Sequence, residues 1–288
     1  MHVSRICAED SFTAEAESIV FGRRRKASEA FGVYRRLAVG QSTNHGIAKV
    51  CQDGGVVTAL LLSSMKNGNL DAALVTSTHP EKPFYPISRL AVTPAEILEA
   101  AGSKYVCSQN PLVLVAEAEK QGKSKVAFVG LPCQIRAFRR LEMASPARTA
   151  CVKYSLGLMC SGCFRYELVA EFIQNKLSID LRSITKMNIK KRLLIATDNG
   201  SRSILLSEIS PYKQKCWDDC RDFSSELADI SFGGLGLDGW TFAVVRSEKG
   251  EELLMNAESA ELLQTKSVSS DDGALKLLVK LSLKKRDH

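Results

Sequence analysis

Ser124-Lys125-Val126-Ala127-Phe128-Val129-Gly130-Leu131-Pro132-Cys133-Gln134-Ile135-Arg136 reads as a strand that runs through a glycine directly into a helix. Val126 to Val129 is an unbroken apolar run, the clearest central strand in the chain. A strand, a glycine and a helix start in succession mark the place where α/β proteins put ligands. Cys133 falls in the first helical turn, where the helix dipole favours a thiolate.

The arrangement is repeated downstream. Tyr154 to Met159 is a second apolar run and delivers Cys160 and Cys163 ahead of a helix expected from about Arg165 to Lys176. A third segment, Lys215-Cys216-Trp217-Asp218-Asp219-Cys220-Arg221-Asp222-Phe223, supplies two more cysteines. Cys133, Cys160, Cys216 and Cys220 therefore come from three segments, each beside a turn or a change of element, and can converge on one iron–sulfur cluster. Cys163 either ligates or fills space, and Cys7 stands alone as a bystander thiol. The chain has nine cysteines and no apolar secretory core behind its N-terminal charges, which argues against a disulfide framework and places the protein in the cytoplasm. Zinc is the other metal to weigh. The four histidines are isolated and poorly placed to complete a site, while an all-cysteine zinc site stays open.

Upstream lies Cys51-Gln52-Asp53-Gly54-Gly55-Val56-Val57-Thr58-Ala59-Leu60-Leu61. The glycine pair permits a tight turn, and the apolar run after it predicts a helix to about Lys66, closed by Asn67-Gly68. A turn feeding a helix N-terminus presents free N–H groups, suited to a phosphate or to the electron-rich edge of a ring, and a plain structural turn fits equally. Asp71 to Thr76 and Leu90 to Thr93 read as strands. Thr93-Pro94-Ala95-Glu96 is a helix start with Thr93 as cap, and that helix ends at Gly102. The loop Gly102-Ser103-Lys104-Tyr105 then offers a lysine and a tyrosine either to a cofactor or to solvent.

From Ile184 to Leu206 short alternating segments joined by Asp198-Asn199-Gly200 predict an antiparallel hairpin unit. Gly234-Leu235-Gly236-Leu237-Asp238-Gly239 matches the dinucleotide pattern G-x-G-x-x-G, but a Trp-Thr-Phe-Ala-Val-Val strand follows it where a helix should begin. Classical nucleotide binding is discounted there, and Gly234 and Gly236 remain as a cofactor-edge loop. Two helices, from about Glu251 and about Asp272, close the chain. The fold expected is α/β (α+β): a mixed-sheet α/β core, a small antiparallel subdomain and C-terminal helices. Its parts are an N-terminal extension over 1–45, an α/β part over 46–180, and a C-terminal part over 181–288 with the antiparallel strands and the iron–sulfur loop.

The net charge of +7 is concentrated in Arg23-Arg24-Arg25-Lys26, in Arg136, Arg139 and Arg140, in Lys190-Lys191-Arg192 and in Lys284-Lys285-Arg286. Such clusters attract anionic ligands or stand as solvated surface charge. Aromatic residues are only 7% and are not interleaved with the basic runs, which speaks against nucleic acid. The longest apolar run, Val56 to Leu62, falls far short of the roughly 20 residues of a membrane span.

Five motifs in order carry a resemblance over most of the chain, from about Phe31 onward: the Cys51 to Leu61 stretch, Ala101-Gly102-Ser103-Lys104-Tyr105, Pro132-Cys133-Gln134, Gly157-Leu158-Met159-Cys160, and Cys220 through Ser231. Together they resemble the beta subunit family of coenzyme F420-reducing hydrogenase, which includes formate dehydrogenase beta and F420H2 dehydrogenase input subunits. The resemblance implies a subunit that holds FAD and one 4Fe-4S cluster and exchanges a hydride with the deazaflavin coenzyme F420. It implies Cys133, Cys160, Cys216 and Cys220 as cluster ligands. The family has two residues between its last two cysteines and this chain has three, so Cys163 is the fallback for Cys216. It also implies that Gln52, Asp53, Gly54, Gly55 and Thr58, with Lys104, Tyr105 and Ser108, line the flavin and deazaflavin sites. A cation such as Lys104 beside the flavin would stabilise its anionic reduced form. No side chain is required as a catalytic acid or base, because hydride transfer between two rings needs mainly alignment. The N-terminal fifty residues lack the dense cysteine repeats of some relatives, so electrons pass through a partner subunit of hydrogenase, formate dehydrogenase or heterodisulfide reductase type. The alternatives are the same fold working with ferredoxin or another substrate, and a zinc-stapled adaptor with a basic face.

Overall fold

The computed structural model describes residues 10–215 and 220–287. Its strands are β1 (Arg36–Ser42), β2 (Ala72–Thr78), β3 (Pro86–Ala91), β4 (Val126–Gly130), β5 (Val152–Leu158), β6 (Ile184–Ile189), β7 (Arg192–Thr197), β8 (Gly200–Leu205), β9 (Ile230–Gly233), β10 (Thr241–Val245) and β11 (Leu263–Ser267). The α-helices are α1 (Asp10–Phe21), α2 (His45–Val50), α3 (Val56–Lys66), α4 (Pro94–Glu99), α5 (Val115–Lys120), α6 (Pro132–Ala144), α7 (Leu206–Ile209), α8 (Glu248–Ser259) and α9 (Gly273–Arg286).

Eight strands form one mixed sheet in the order β11-β1-β10-β9-β5-β4-β2-β3. β2, β4, β5 and β9 run parallel, and β3 on one side and β10 on the other reverse direction. Alternate residues of the parallel strands feed opposite faces, as the two-residue period of a strand requires. Ala73, Val75, Ala127 and Val129 pack with Leu60 of α3, Ile97 of α4 and Leu253 of α8. Ala72, Leu74, Val126 and Phe128 pack with Ala16 of α1 and with Ile135 and Phe138 of α6. Both faces are covered, and this is why β4 is apolar along its whole length. A separate antiparallel sheet, β6-β7-β8, turns at Asp198-Asn199 between Thr197 and Gly200 and packs on the π-helical segment Leu168–Lys176. The chain thus has the mixed-sheet core, the small antiparallel unit and the C-terminal helices expected of it.

Local signals hold where they are strongest. Thr93 and Glu96 form a reciprocal capping box at α4, and α3 starts at Gly55 and ends at Asn67. Phe31 to Val39 alternates well enough to read as a strand, yet β1 lies at Arg36–Ser42, because the carbonyls of Phe31 and Val33 turn inward to accept hydrogen bonds at 2.8 Å from the buried Arg246 guanidinium.

Beneath the sheet ends lies Asp229, fully buried. It accepts from the Ser155 N–H at 2.7 Å, the Ser155 hydroxyl at 2.8 Å and the Ser247 hydroxyl at 2.7 Å, and faces the Arg139 guanidinium at 3.4 Å. Burial alone would raise its pKa, but Arg139, Lys249 and these donors hold it below the usual carboxylate range. Its contribution to stability is therefore complete above the unfolded-state value of about 4 and is lost as pH falls through the lower folded value. Asp229→Ala is expected to cost about 3–5 kcal/mol in urea denaturation at neutral pH by stranding Arg139. Lys276→Ala, which removes an exposed ion pair with Asp271, should leave the transition unmoved.

Candidate functional site

The first site grows from the glycine turn. Asn44 caps α2 by accepting from the N–H groups of Gly46 and Ile47, and the Cys51 thiol closes the next turn by donating to the Asp53 carbonyl at 2.9 Å. Gly54 is then pressed between β1 and β10. Its N–H donates to the Thr241 hydroxyl at 3.0 Å, its carbonyl accepts from Ser42 at 2.7 Å, and a Cβ there would collide with the Gly40 carbonyl and lie 2.7 Å from Thr241 N. Gly55 has φ 70°, and a Cβ on it would lie 2.6 Å from the Ile47 side chain. Both glycines are fixed by close backbone approach.

This turn opens onto a cleft of about 220 Å³. Gln41, Ser42, Gln52, Asp53 and Gly54 form one wall, Lys186 and Asn188 of β6 another, and Asp238 and Gly239 of the β9–β10 hairpin the third. Burial raises the pKa of Asp53, opposed by Lys186 and Lys190. The hairpin is tied to the small sheet by the Lys190–Asp238 ion pair, and Gly234 lies so close to Asp53 that a Cβ would sit 3.0 Å from its Cγ. The preceding strand β9 is followed by β10 and not by a helix, so G-x-G-x-x-G is a hairpin loop on the cleft. Gly236, at φ 81°, has open space around it.

The 102–109 loop adjoins the cleft and is bonded to two of its lining residues, Gln52 and Asn188. Gln52 donates to the Met187 carbonyl at 3.1 Å and accepts from Ser103 N at 3.4 Å, while the Tyr105 hydroxyl meets Asn188 Oδ1 at 3.2 Å and Ile189 N at 3.3 Å. Lys104 Nζ donates to the carbonyls of Ala100, Ala101 and Gly102 at the end of α4, and burial lowers its pKa to about 8. Ser108 accepts from Gln134 at 3.2 Å. Thr58 is buried within α3. Lys186, Asn188 and Asp238 are cleft residues that sequence reading did not single out. The first two stand more than 130 positions from Gln52, and only the three-dimensional pairing of β6 with the 102–109 loop reveals them.

The second site is a cavity of about 390 Å³ between α1, the start of α6 and the segment after residue 219. Cys133 and Cys220 both line it, among Arg24, Arg25, Arg136, Arg221 and Arg286 and the carboxylates of Glu17, Asp222 and Glu226. Cys160 follows β5; its N–H donates to the Phe223 carbonyl at 2.9 Å, and its own carbonyl accepts from Lys285 at 2.8 Å. Burial raises the pKa of the Cys160 thiol, Lys285 lowers it, and Cys220 is near enough to raise it again. Asp222 has one oxygen buried without a hydrogen-bond partner, and burial with Glu226 and Cys220 pushes its carboxyl up to about 7. Cys216 lies outside the described residues. Among the described residues no three His, Cys, Asp or Glu side chains stand in metal-holding geometry. The thiols of Cys133 and Cys220 in one guanidinium-rich cavity, with Cys160 beside Cys220, are nonetheless a donor set of the kind a thiolate-ligated cluster takes.

Two expectations are corrected. Cys163 is bonded to Cys107, so it is not a spare ligand in this state, and the argument against disulfides fails for this pair. The cause is local: the bridge between Val106 and Phe164 sets the two Cα atoms 5.3 Å apart, within disulfide reach. The basic clusters are also less solvated than expected. Arg25 pairs with Glu17 and Glu226, and Arg139 is buried.

Gly54→Ala is expected to destabilise the protein by about 1–3 kcal/mol through overpacking, whereas Gly273→Ala, with open space at the start of α9, should be neutral or stabilising by up to about 1 kcal/mol. Thermal and urea unfolding of the two variants tests this contrast.

Comparison with known proteins bears on both sites. The profile described as coenzyme F420 hydrogenase/dehydrogenase, beta subunit N-term, matches residues 37–115, and its C-terminus counterpart matches 123–271. The chain is 33% identical over 263 residues to the coenzyme F420 hydrogenase subunit beta of Methanothermobacter thermautotrophicus, covering 89% of this chain and 92% of that one. It is 34% identical to the coenzyme F420-dependent sulfite reductase of Methanocaldococcus jannaschii over 73% of this chain and 35% of the relative. A chain of the xenon-derivatised F420-reducing [NiFe] hydrogenase complex from Methanosarcina barkeri superposes with a TM-score of 0.85 at 30% identity, covering 91% of this chain and 92% of that one.

Proposed function

Because this chain belongs to the coenzyme F420 hydrogenase/dehydrogenase beta subunit family, we propose that it exchanges a hydride with coenzyme F420 and passes the electrons to or from a partner subunit through one 4Fe-4S cluster. The observation that supports this reading is that one loop touches the borders of both sites: Ser108 accepts from Gln134, the neighbour of Cys133 in the cysteine cavity, while Ser103 and Tyr105 bond to Gln52 and Asn188 of the cleft. The cleft would then take a ring system and the thiol-lined cavity the cluster, with the 102–109 loop between them.

In this reading FAD, when bound, supplies the exchange between two-electron and one-electron chemistry. Gly54 and Gly55 let the backbone approach it closely, with Gln52, Asp53 and Thr58 on the same turn and helix and Gly234 and Gly236 at its edge. Tyr105 and Ser108 hold the neighbouring loop in place. Lys104 steadies that loop from the end of α4, and Lys186 is the cation that lines the cleft, with Lys190 paired to Asp238 at its border; Lys186 suits the phosphate or acidic tail of the deazaflavin. Cys133, Cys160, Cys216 and Cys220 would ligate the cluster, and the surrounding arginines offset the thiolate charge. The division at 45/46 and 180/181 belongs to the same proposal: the middle part carries the glycine turn and Cys133, the last part Lys186 and Cys220. No described helix is long and apolar enough to cross a membrane, and we place the subunit in the cytoplasm. Its partner is of hydrogenase, formate dehydrogenase or heterodisulfide reductase type.

An anaerobic absorbance spectrum should contain flavin bands and a broad iron–sulfur shoulder, both bleached by reduced F420. Cys133→Ser and Cys220→Ser should remove the shoulder and the iron while the flavin bands remain. A flavin and cluster spectrum that reduced F420 leaves unchanged would transfer the reading to ferredoxin or another donor, and a colourless protein after reconstitution would end it. Lys186→Met is expected to raise the apparent KM for reduced F420 about tenfold with little change in kcat, the signature of a lost charge-assisted contact made equally in ground and transition states.

A further inference from the structure

Cys107 and Cys163 make the one disulfide among the described residues, 56 positions apart in sequence, and both are partly exposed. The bond sits between two parts that the rest of the chain keeps close. Cys107 belongs to the 102–109 loop, which is bonded to Gln52 and Asn188 of the cleft, and Cys163 follows Cys160 at the exit of β5. Around the bond the loop is strapped by two backbone hydrogen bonds, Phe164 N to the Tyr105 carbonyl and Cys107 N to the Phe164 carbonyl, each 2.9 Å. Tyr105 itself is held at φ 58°, a left-handed conformation that a tyrosine adopts only under constraint from its surroundings. Its hydroxyl is anchored to β6 and Ser108 to Gln134, so a strained residue is gripped on both sides with the cross-link next to it.

We propose that Cys107 and Cys163 are a reversible thiol–disulfide couple that sets how firmly the 102–109 loop is clamped against Gln52 and Asn188 at the wall of the cleft. In the oxidised form the covalent tie adds to the backbone straps and keeps Tyr105 in its strained conformation. In the reduced form the loop retains only the hydrogen bonds, and relief of the strain at Tyr105 favours opening. The reductant is a dithiol. One of its thiolates attacks a sulfur of the pair, releasing one cysteine thiolate and forming a mixed disulfide. Its second thiol then displaces the other cysteine, so the dithiol leaves as a cyclic disulfide and two electrons and two protons end on Cys107 and Cys163. A small disulfide such as oxidised glutathione reverses the change, leaving as two thiols that carry those electrons and protons. The effect on cofactor access rests on the function proposed above; the couple and its effect on the loop do not.

The test uses the full chain, within its complex where it co-purifies, treated with dithiothreitol or with oxidised glutathione. Peptide mass spectrometry should find the Cys107–Cys163 cross-link after glutathione and two alkylated thiols after dithiothreitol. Amide exchange over 103–109 should be about tenfold to a hundredfold faster in the reduced form, with β4 unchanged. The Cys107→Ser/Cys163→Ser double variant should exchange like reduced protein under both treatments. Failure of the cross-link to form under glutathione, or equal exchange in the two states, would overturn the inference. Loss of the F420 response with the cross-link and the exchange difference intact would overturn the cofactor reading alone.

Discussion

One buried carboxylate, Asp229, decides where the cysteine segments stand. It is fully buried, and its donors come from three separate elements: Ser155 in β5, Arg139 in α6 and Ser247 at the cap of α8. Arg139 adds a bond to the Leu227 carbonyl at 2.9 Å. A carboxylate taken out of water requires such a shell of donors, and meeting the requirement fixes the separation of α6, β5 and the chain leading into β9. Those elements carry Cys133, Cys160 and Cys220. Arg246 repeats the logic on the neighbouring strand with opposite charge. Its guanidinium reaches Phe31, Val33, Ser224 and Ser231, and burial lowers its pKa only to about 10, so it stays charged at neutral pH.

The arginines have divided roles. Arg139 and Arg246 are internal tethers. Arg25 and Arg286 converge on Glu226 at the wall of the cysteine cavity, and Arg136 stacks over Phe12 while donating to Thr13, which attaches α1 to α6. A positive composition that suggests binding of anions is thus largely consumed in holding the N-terminal helix and the C-terminal helix against the cysteine segments. The cation that lines the Gly54 cleft, Lys186, comes from the small sheet.

Sequence reading succeeded where a local rule acts alone. The glycine pair before α3, the capping box of α4, the β4-to-α6 junction and the Asn-Gly turn of the small sheet are each set by residues within a few positions of one another, and each was legible. It failed where a distant partner overrides the local preference. β9 is four residues of mixed character, and β11 is a polar edge strand, Leu-Gln-Thr-Lys-Ser, whose only full partner is β1. The stretch from Phe31 to Val33 looks like a strand and is instead a set of acceptors for Arg246. The cleft was half legible: Gln52, Asp53 and Gly54 were named and share it, Tyr105 was named and bonds to its neighbour Asn188, while Lys186 and Asn188 carry no local signature. Of the cysteines at element ends, Cys133 and Cys220 line one cavity. The bond between Cys107 and Cys163 was not legible, because nothing local announces that Val106 and Phe164 pair.

The strand order carries a consequence for how the molecule comes into being. β1, near the start of the chain, has no partner among the strands that follow it until β10 and β11, some two hundred residues later, and the cleft around Gly54 is walled by β1 and Thr241 together. Closing so long a loop is slow compared with forming the local β2–β4–β5 unit. On the ribosome the central parallel strands can assemble while synthesis continues, but the glycine turn waits in an unfinished wall until the last strands emerge. Any molecule that occupies this cleft can therefore enter only after translation has all but ended, and its arrival stabilises the latest-formed part of the sheet.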